Sequence, residues 1–284
     1  MTRRIAGLQQ AGGKYKGILS DVWGVLHNGV AVYPEAAKAL AEYRATGGHV
    51  VMITNSPRPA QGVLAQFAEL GVDPNVYDEV VTSGDVTRDL ISQVDGKIFH
   101  LGPDRDQPLF AGLDIELCDA DQASAIVCTG LFEDETETPE DYRSDLTELV
   151  ARKLPFICAN PDIVVERGDR LIWCAGALAR LYAELGGETR LAGKPHPPIY
   201  DLATRKLFEL AGGDVPKNQM LAIGDGMPTD VAGAQAFGSD LLYISGGIHA
   251  AEYGGAETPD EEKLLAFLAA HNASPTLWMP KLVW

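Results

Sequence analysis

The sequence predicts an α/β fold: a doubly wound, Rossmann-like parallel sheet with an inserted α/β domain. Three observations carry this. Strand and helix patterns alternate in short units in the two outer stretches of the chain, the rhythm of βαβ units. Three of the apolar runs end in polar clusters, at Asp21, at Thr54-Asn55-Ser56 and at Gly224-Asp225, and such sheets place their chemistry beyond the strand C-termini. The middle is more acidic: residues 85–190 hold 22 of the 40 acidic residues but 10 of the 23 Lys and Arg. With 284 residues, about two domains are expected, a discontinuous one of residues 1–91 and 187–284 and an inserted one of 92–186.

Lys16 to Val22 reads as a buried strand. Pro34 to Thr46 has Pro at a helix start, Ala and Leu at helical spacing, and Gly47-Gly48 as a stop. Val50 to Thr54 is an apolar run, Pro59 to Leu70 a helix ended by Gly71, and Glu79 to Thr82 a strand before the helix opening Ser83-Gly84-Asp85. In the middle, Lys97 to Leu101, Ala125 to Cys128 and Phe156 to Ala159 read as strands. Pro139 to Arg152 and Leu171 to Leu185 read as helices, and Gly102 to Pro108 as a loop. The rhythm resumes with Pro198 to Ala211 (helix), Met220 to Gly224 (strand), Asp230 to Phe237 (helix) and Leu241 to Ile244 (strand).

Composition narrows the function. At 46% apolar and 22% charged, the chain is an ordinary globular one. No apolar run approaches the ~18 residues of a membrane span, and MTRRIAGLQQ has no apolar centre of a secretory signal, so a cytoplasmic location is expected. A net charge of −17 argues against nucleic-acid and anionic-membrane partners; a solvated acidic surface is the simpler reading. Cys118, Cys128, Cys158 and Cys174 form no C-x-x-C pair and read as reduced thiols. A dinucleotide site lacks its G-x-G-x-x-G, and Gly12-Gly-Lys-Tyr-Lys16 lacks the Gly-Lys-Ser/Thr ending of a P-loop.

Four places could carry chemistry. Asp21 at a strand end suits a nucleophile or a metal ligand, although taken alone a turn cap is the simpler reading. Thr54-Asn55-Ser56 offers hydroxyls and N–H groups to an anion, or simply caps a helix. Lys194, in Gly193-Lys-Pro-His-Pro197, suits a fixed phosphate contact or a plain surface position. Asp225 and Asp230 bracket a loop after a strand, a hard-cation donor set when joined by Asp21.

Together, in this order, these residues resemble the haloacid dehalogenase superfamily, in particular its class IIA, NagD-like phosphatases, whose cap domain is inserted between the second and third motifs. The likeness spans nearly the whole chain: Asp21-Val-Trp-Gly-Val-Leu26, Thr54-Asn-Ser56, Ala159-Asn-Pro-Asp162, Ala175-Gly-Ala-Leu178, Gly193-Lys-Pro195 and Gly224-Asp225. The resemblance implies that Asp21 forms an aspartyl-phosphate which water then hydrolyses. It implies phosphate binding by Thr54, Asn55, Ser56 and Lys194. It also implies Mg²⁺ held by Asp21, Asp225 and the backbone carbonyl of Trp23, with Asp230 behind, and pairing of two copies through the cap.

One residue departs from the pattern. The family's phosphatases usually carry an acid two residues after the nucleophile; here stands Trp23, whose indole N–H cannot protonate a leaving alkoxide. The expectation is therefore a Mg²⁺-dependent phosphohydrolase of a small phosphorylated metabolite with a good leaving group. A non-catalytic Mg²⁺- and phosphometabolite-binding protein on the same fold is the alternative. His27, His196, Glu166 and Asp169 are the candidates for a replacement acid.

Overall fold

A computed structural model describes residues 2–167 and 170–284. The chain opens with β1 (Arg3–Arg4) and β2 (Gly17–Ser20), followed by α1 (Pro34–Ala45), β3 (His49–Thr54), α2 (Ala60–Leu70), β4 (Glu79–Thr82) and α3 (Ser83–Ile91). Proline starts α1 at a position whose N–H would have no helical partner. Gly71, at φ 77°, supplies the left-handed residue that ends α2. The middle contributes β5 (Ile98–Leu101), β6 (Ala125–Cys128), α4 (Arg143–Ala151), β7 (Phe156–Cys158), β8 (Val164–Arg167), β9 (Arg170–Trp173), α5 (Ala175–Glu184) and β10 (Thr189–Leu191). The chain closes with α6 (Pro197–Ala211), β11 (Met220–Gly224), α7 (Ala232–Phe237), β12 (Asp240–Ile244), α8 (Glu261–Ala270) and β13 (Leu277–Met279).

The expected doubly wound sheet is present. Seven strands pair in the order β1-β13-β12-β11-β2-β3-β4, all parallel. From β2 the chain steps outward through β3 and β4, and from β11 it steps the other way through β12 and β13. The order therefore reverses between β2 and β11, and the C-terminal ends of β11, β2 and β3 lie side by side at that switch point. Both faces are covered. Ile18, Val50, Met52, Leu221 and Ile223 pack with α1 and α2 residues such as Leu40 and Phe67. The alternate residues Leu19, Val51 and Ile53 pack on Ile199, Ala203 and Leu207 of α6. On the other flank Ala222, Leu241 and Tyr243 meet Ala234, Leu264 and Leu268.

A separate four-stranded parallel sheet has the order β10-β7-β6-β5, and β8 and β9 form an antiparallel hairpin. Two sequence expectations are corrected here. Leu171 to Trp173 is strand rather than the start of a helix; Ile172 is paired with Val165 and Trp173 with Val164, and the helix begins only at Ala175. Residues with branched and aromatic side chains favour a paired extended backbone once a partner strand lies beside them. The Pro- and Asp-rich segment is also not an open loop, because Asp104–Phe110 forms a 3-10 turn that buries Asp106, Leu109 and Phe110. All four cysteines are free thiols, and Cys128, Cys158 and Cys174 are buried.

Candidate active site

The switch point gathers the sequence-predicted residues. Asp21 follows β2 directly, and its N–H donates to the Ile223 carbonyl of β11 at 2.8 Å. Thr54 ends β3, buried. Asp225 follows β11, and Asp230 lies in a π-helical turn, Met227–Val231, that precedes α7. In that wide turn the N–H groups of Asp230 and Val231 both reach the Gly226 carbonyl, at 2.9 and 3.0 Å. Such insertions are frequent at functional sites; here the turn brings the Asp230 carboxylate back over the loop to accept from Gly226 N–H at 3.0 Å.

Lys194 arrives from the stretch after β10 and is buried. Asn55 fixes it: Asn55 Oδ1 accepts from the Lys194 N–H at 2.7 Å, and Nδ2 donates to the Lys194 carbonyl at 3.2 Å and to Asp162 Oδ1 at 2.9 Å. The Asn55 side chain is thus engaged as a clamp, which strand-end reasoning alone does not reveal. Gly193 (φ 97°) is required beside it, since a Cβ there would lie 2.6 Å from Asn55 Oδ1.

Lys194 Nζ stands 2.6 Å from Asp21 Oδ1 and 2.7 Å from Asp230 Oδ1. Burial disfavours its charge, but the two carboxylates outweigh burial and hold the ammonium well above the usual lysine range. Burial, with repulsion from Asp230 and Asp225, pushes Asp21 well above the usual carboxylate range despite Lys194. Burial and Asp230 likewise push Asp225 up to about 7.

Carboxylate oxygens of Asp21, Asp225 and Asp230 all lie within 4.8 Å of one another. Three buried or half-buried carboxylates thus face one ammonium. A hollow of about 70 Å³ adjoins all three and Trp23. Backbone presses close to Asp225: its Oδ2 accepts from Ile248 N–H at 2.8 Å, and a Cβ on Gly24 or Gly247 would fall 2.3 or 1.9 Å from that oxygen. This all-oxygen, electron-rich set suits a hard divalent cation.

A cavity of about 350 Å³ opens over Asp21, Thr54, Ser56 and Lys194 toward the inserted sheet and the hairpin. Trp23 lines it, its ring edge-on to His27 at 5.2 Å. Of the expected replacement acids, His27 is excluded by its surroundings. It is fully buried between Trp23 and Phe67, and its Nδ1 accepts from Gly29 N–H at 3.0 Å. Burial lowers its pKa to about 4, so it is neutral. His196 precedes α6 without capping it through its side chain, and does not line the cavity. Asp169 and the Glu166 side chain lie outside the described residues. A group not singled out as an acid, Asp162, does line the cavity, and burial pushes it up to about 6; the Asn160-Pro-Asp162 motif was its only signal.

The model of the haloacid dehalogenase-like hydrolase family matches residues 18–116, and a second model, described as HAD-hydrolase-like, matches residues 191–266. Ribonucleotide monophosphatase NagD of Escherichia coli (strain K12) is 30% identical over 240 residues, 81% of this chain and 88% of that protein. A crystal structure of a haloacid dehalogenase-like hydrolase from Brucella suis 1330 is 52% identical, covers 100% of both chains and superposes with a TM-score of 0.89. The fold alone is shared with p-nitrophenyl phosphatase from Archaeoglobus fulgidus, 20% identical with a TM-score of 0.70 over 94% of this chain and 96% of that one.

Proposed function

Because the chain belongs to the haloacid dehalogenase-like hydrolases, as a class IIA phosphatase, we propose that it is a Mg²⁺-dependent enzyme in which Asp21 attacks the phosphorus of a small phosphorylated substrate. The observation that carries the reading is the Asp21–Lys194–Asp230 chain at the switch point, 2.6 and 2.7 Å between charged atoms. A carboxylate held at the mouth of a cavity by a permanently charged lysine suits nucleophilic attack, since the ammonium offsets the negative charge shared by carboxylate and phosphoryl group.

Asp21 would form the new P–O bond while the bond to the leaving group breaks and that group departs with the electron pair. Water then attacks phosphorus, releasing phosphate and restoring the carboxylate. Thr54 and Ser56, and the Asn55 backbone amide, would bind the non-bridging oxygens of the phosphoryl group. Asn55 would act through its side chain as the clamp on Lys194. We assign Mg²⁺ to Asp21, Asp225 and the Trp23 carbonyl. Asp230, whose two oxygens already accept from Lys194 and Gly226, supports from behind. When bound, the cation supplies charge neutralisation that lets an anionic carboxylate approach an anionic phosphoryl group.

Trp23 leaves the leaving group without a proton from the usual position, so substrates with good leaving groups are favoured. The same reading divides the chain into a core of 1–91 and 187–284 and a cap of 92–186. The two separate sheets support the division except at its second boundary, since β10 pairs in the cap sheet and carries the cap on to Leu191.

The test is turnover of p-nitrophenyl phosphate with Mg²⁺. The Asp21→Asn variant is expected to lose at least about 10³-fold in kcat while melting as the parent does. A variant of undiminished activity would remove Asp21 as nucleophile. A folded parent that binds Mg²⁺ but turns over no phosphate ester would leave the non-catalytic binding reading.

A further inference from the structure

The cavity over Asp21 is lined by more cationic side chains than one phosphoryl group needs, alongside four aspartates, Asp21, Asp106, Asp134 and Asp162. Besides Lys194, three arginines from three separate segments line it: Arg58 ahead of α2, Arg105 in the 3-10 turn after β5, and Arg167 at the end of β8. Their acidic partners there are two aspartates. Asp134, 9% exposed, is shared by Arg105 and Arg167, the latter at 2.9 Å. Asp106, 4% exposed, faces Arg58 at 3.8 Å, an ion-pair distance too long for a hydrogen bond.

Each guanidinium has five N–H donors in a rigid fork. Arg105 uses one on Asp134, and Arg167 donates to Asp134 from both terminal nitrogens, at 3.4 and 2.9 Å, with Glu135 3.8 Å away. The three side chains keep 35%, 44% and 35% of their surface accessible. Donors in this geometry recognise carboxylate and phosphoryl oxygens bidentately. Their convergence in a chain of net charge −17 is not a by-product of composition. It also bears on how an acidic inserted domain accommodates an anionic substrate: Asp21, Asp106 and Asp134 each face a cation, Asp162 is held by Asn55, and Asp134 serves two arginines.

Resting on the phosphatase reading, we infer that the substrate bears a second anionic group, a carboxylate or a phosphoryl group, remote from the scissile phosphate and bound by Arg105 and Arg167, with Arg58 flanking. The cavity of about 350 Å³ lies at the small end of ligand sites, so the substrate is a compact, doubly anionic metabolite.

The experiment is calorimetric binding to the full-length protein with excess Mg²⁺. The probes are ω-carboxyalkylphosphonates of increasing chain length, their ω-phosphonate counterparts, and uncharged alkylphosphonates of matching length. At the length that spans the cavity, a charged tail is expected to tighten binding about tenfold or more. The carboxylate and phosphonate arms then tell which group is preferred. In Arg105→Gln and Arg167→Gln, that advantage is expected to vanish while the uncharged probe binds as before, a pattern that general misfolding would not produce. Equal affinity of charged and uncharged tails at every length, no binding of any probe, or an advantage that survives both substitutions would overturn the inference. p-Nitrophenyl phosphate turnover, run in parallel, separates the two readings: turnover without a tail preference sinks the second anion alone, and a tail preference without turnover sinks the phosphatase alone.

Discussion

At position 23 stands an indole, where the proposed mechanism would call for an acid. The ring is held in place: a Cβ on Gly29 would lie 2.2 Å from it, and His27 packs beside it in a T-shaped arrangement. Position 23 therefore shapes the cavity wall rather than donating a proton. A general acid typically contributes ~10²–10⁴-fold to rate. Trp23→Asp is expected to raise kcat/KM for alkyl phosphates by up to about that factor, and to change aryl phosphates much less. Parallel kinetics on one ester of each kind checks this; equal changes would mean that protonation is not what the indole withholds. Asp21, Thr54 and Asp225 were legible in the sequence because each is a polar residue ending or following an apolar run, and Lys194 because it stands in a Pro-flanked loop before a helix. The work of the Asn55 side chain was not, since its partners, Lys194 and Asp162, lie 139 and 107 positions away.

Among the elements, α2 and α3 share one anchor. Thr82 and Asp85 close a capping box at the start of α3, and Asp85 Oδ1 also accepts from Ala60 N–H at the first residue of α2, at 3.2 Å. Losing a cap costs ~1 kcal/mol. Thr82→Ala is expected to cost about that, and Asp85→Ala ~2 kcal/mol, because two helix starts lose their acceptor. Urea midpoints measure both, and equal losses would show that the Ala60 contact contributes nothing. Long elements such as α1, α6 and β3 were legible through their apolar pattern and their Pro and Gly punctuation. The β8–β9 hairpin was misread in part because Leu171-Ile-Trp173 continues directly into a strongly helical Ala-Leu run, and four residues cannot reveal a period. The strands β1 and β13, two and three residues long, are held by pairing and leave no local pattern.

Over the whole molecule, the buried carboxylates of three segments, after β2, after β11 and ahead of α7, repel one another with one lysine between them. A divalent cation bound only to the folded chain stabilises it by ~2.7 kcal/mol at about 100 times its Kd. Adding Mg²⁺ to chelator-treated protein is therefore expected to raise Tm by roughly 5 °C, and Asp225→Asn to lose most of that rise. Differential scanning calorimetry checks this without reference to turnover, and a melting curve indifferent to Mg²⁺ in the parent would remove the cation from the site. Among the described residues no helix is long and apolar enough to cross a membrane.

By itself the sequence determined the α/β class, the family resemblance and the residues at the strand ends, because apolar runs, Gly and Pro signals and short motifs are local properties of the chain. Tertiary structure alone decided that Asp21, Lys194 and Asp230 form one charged chain, that Asn55 clamps the lysine, and that His27 is a neutral core residue. It also decided that Arg58, Arg105 and Arg167 converge on the cavity over Asp21. The physical reason is that charge and hydrogen bonding act through space: interactions of 2.6 to 3.8 Å join residues separated by tens to more than a hundred positions, and no spacing in the sequence records them.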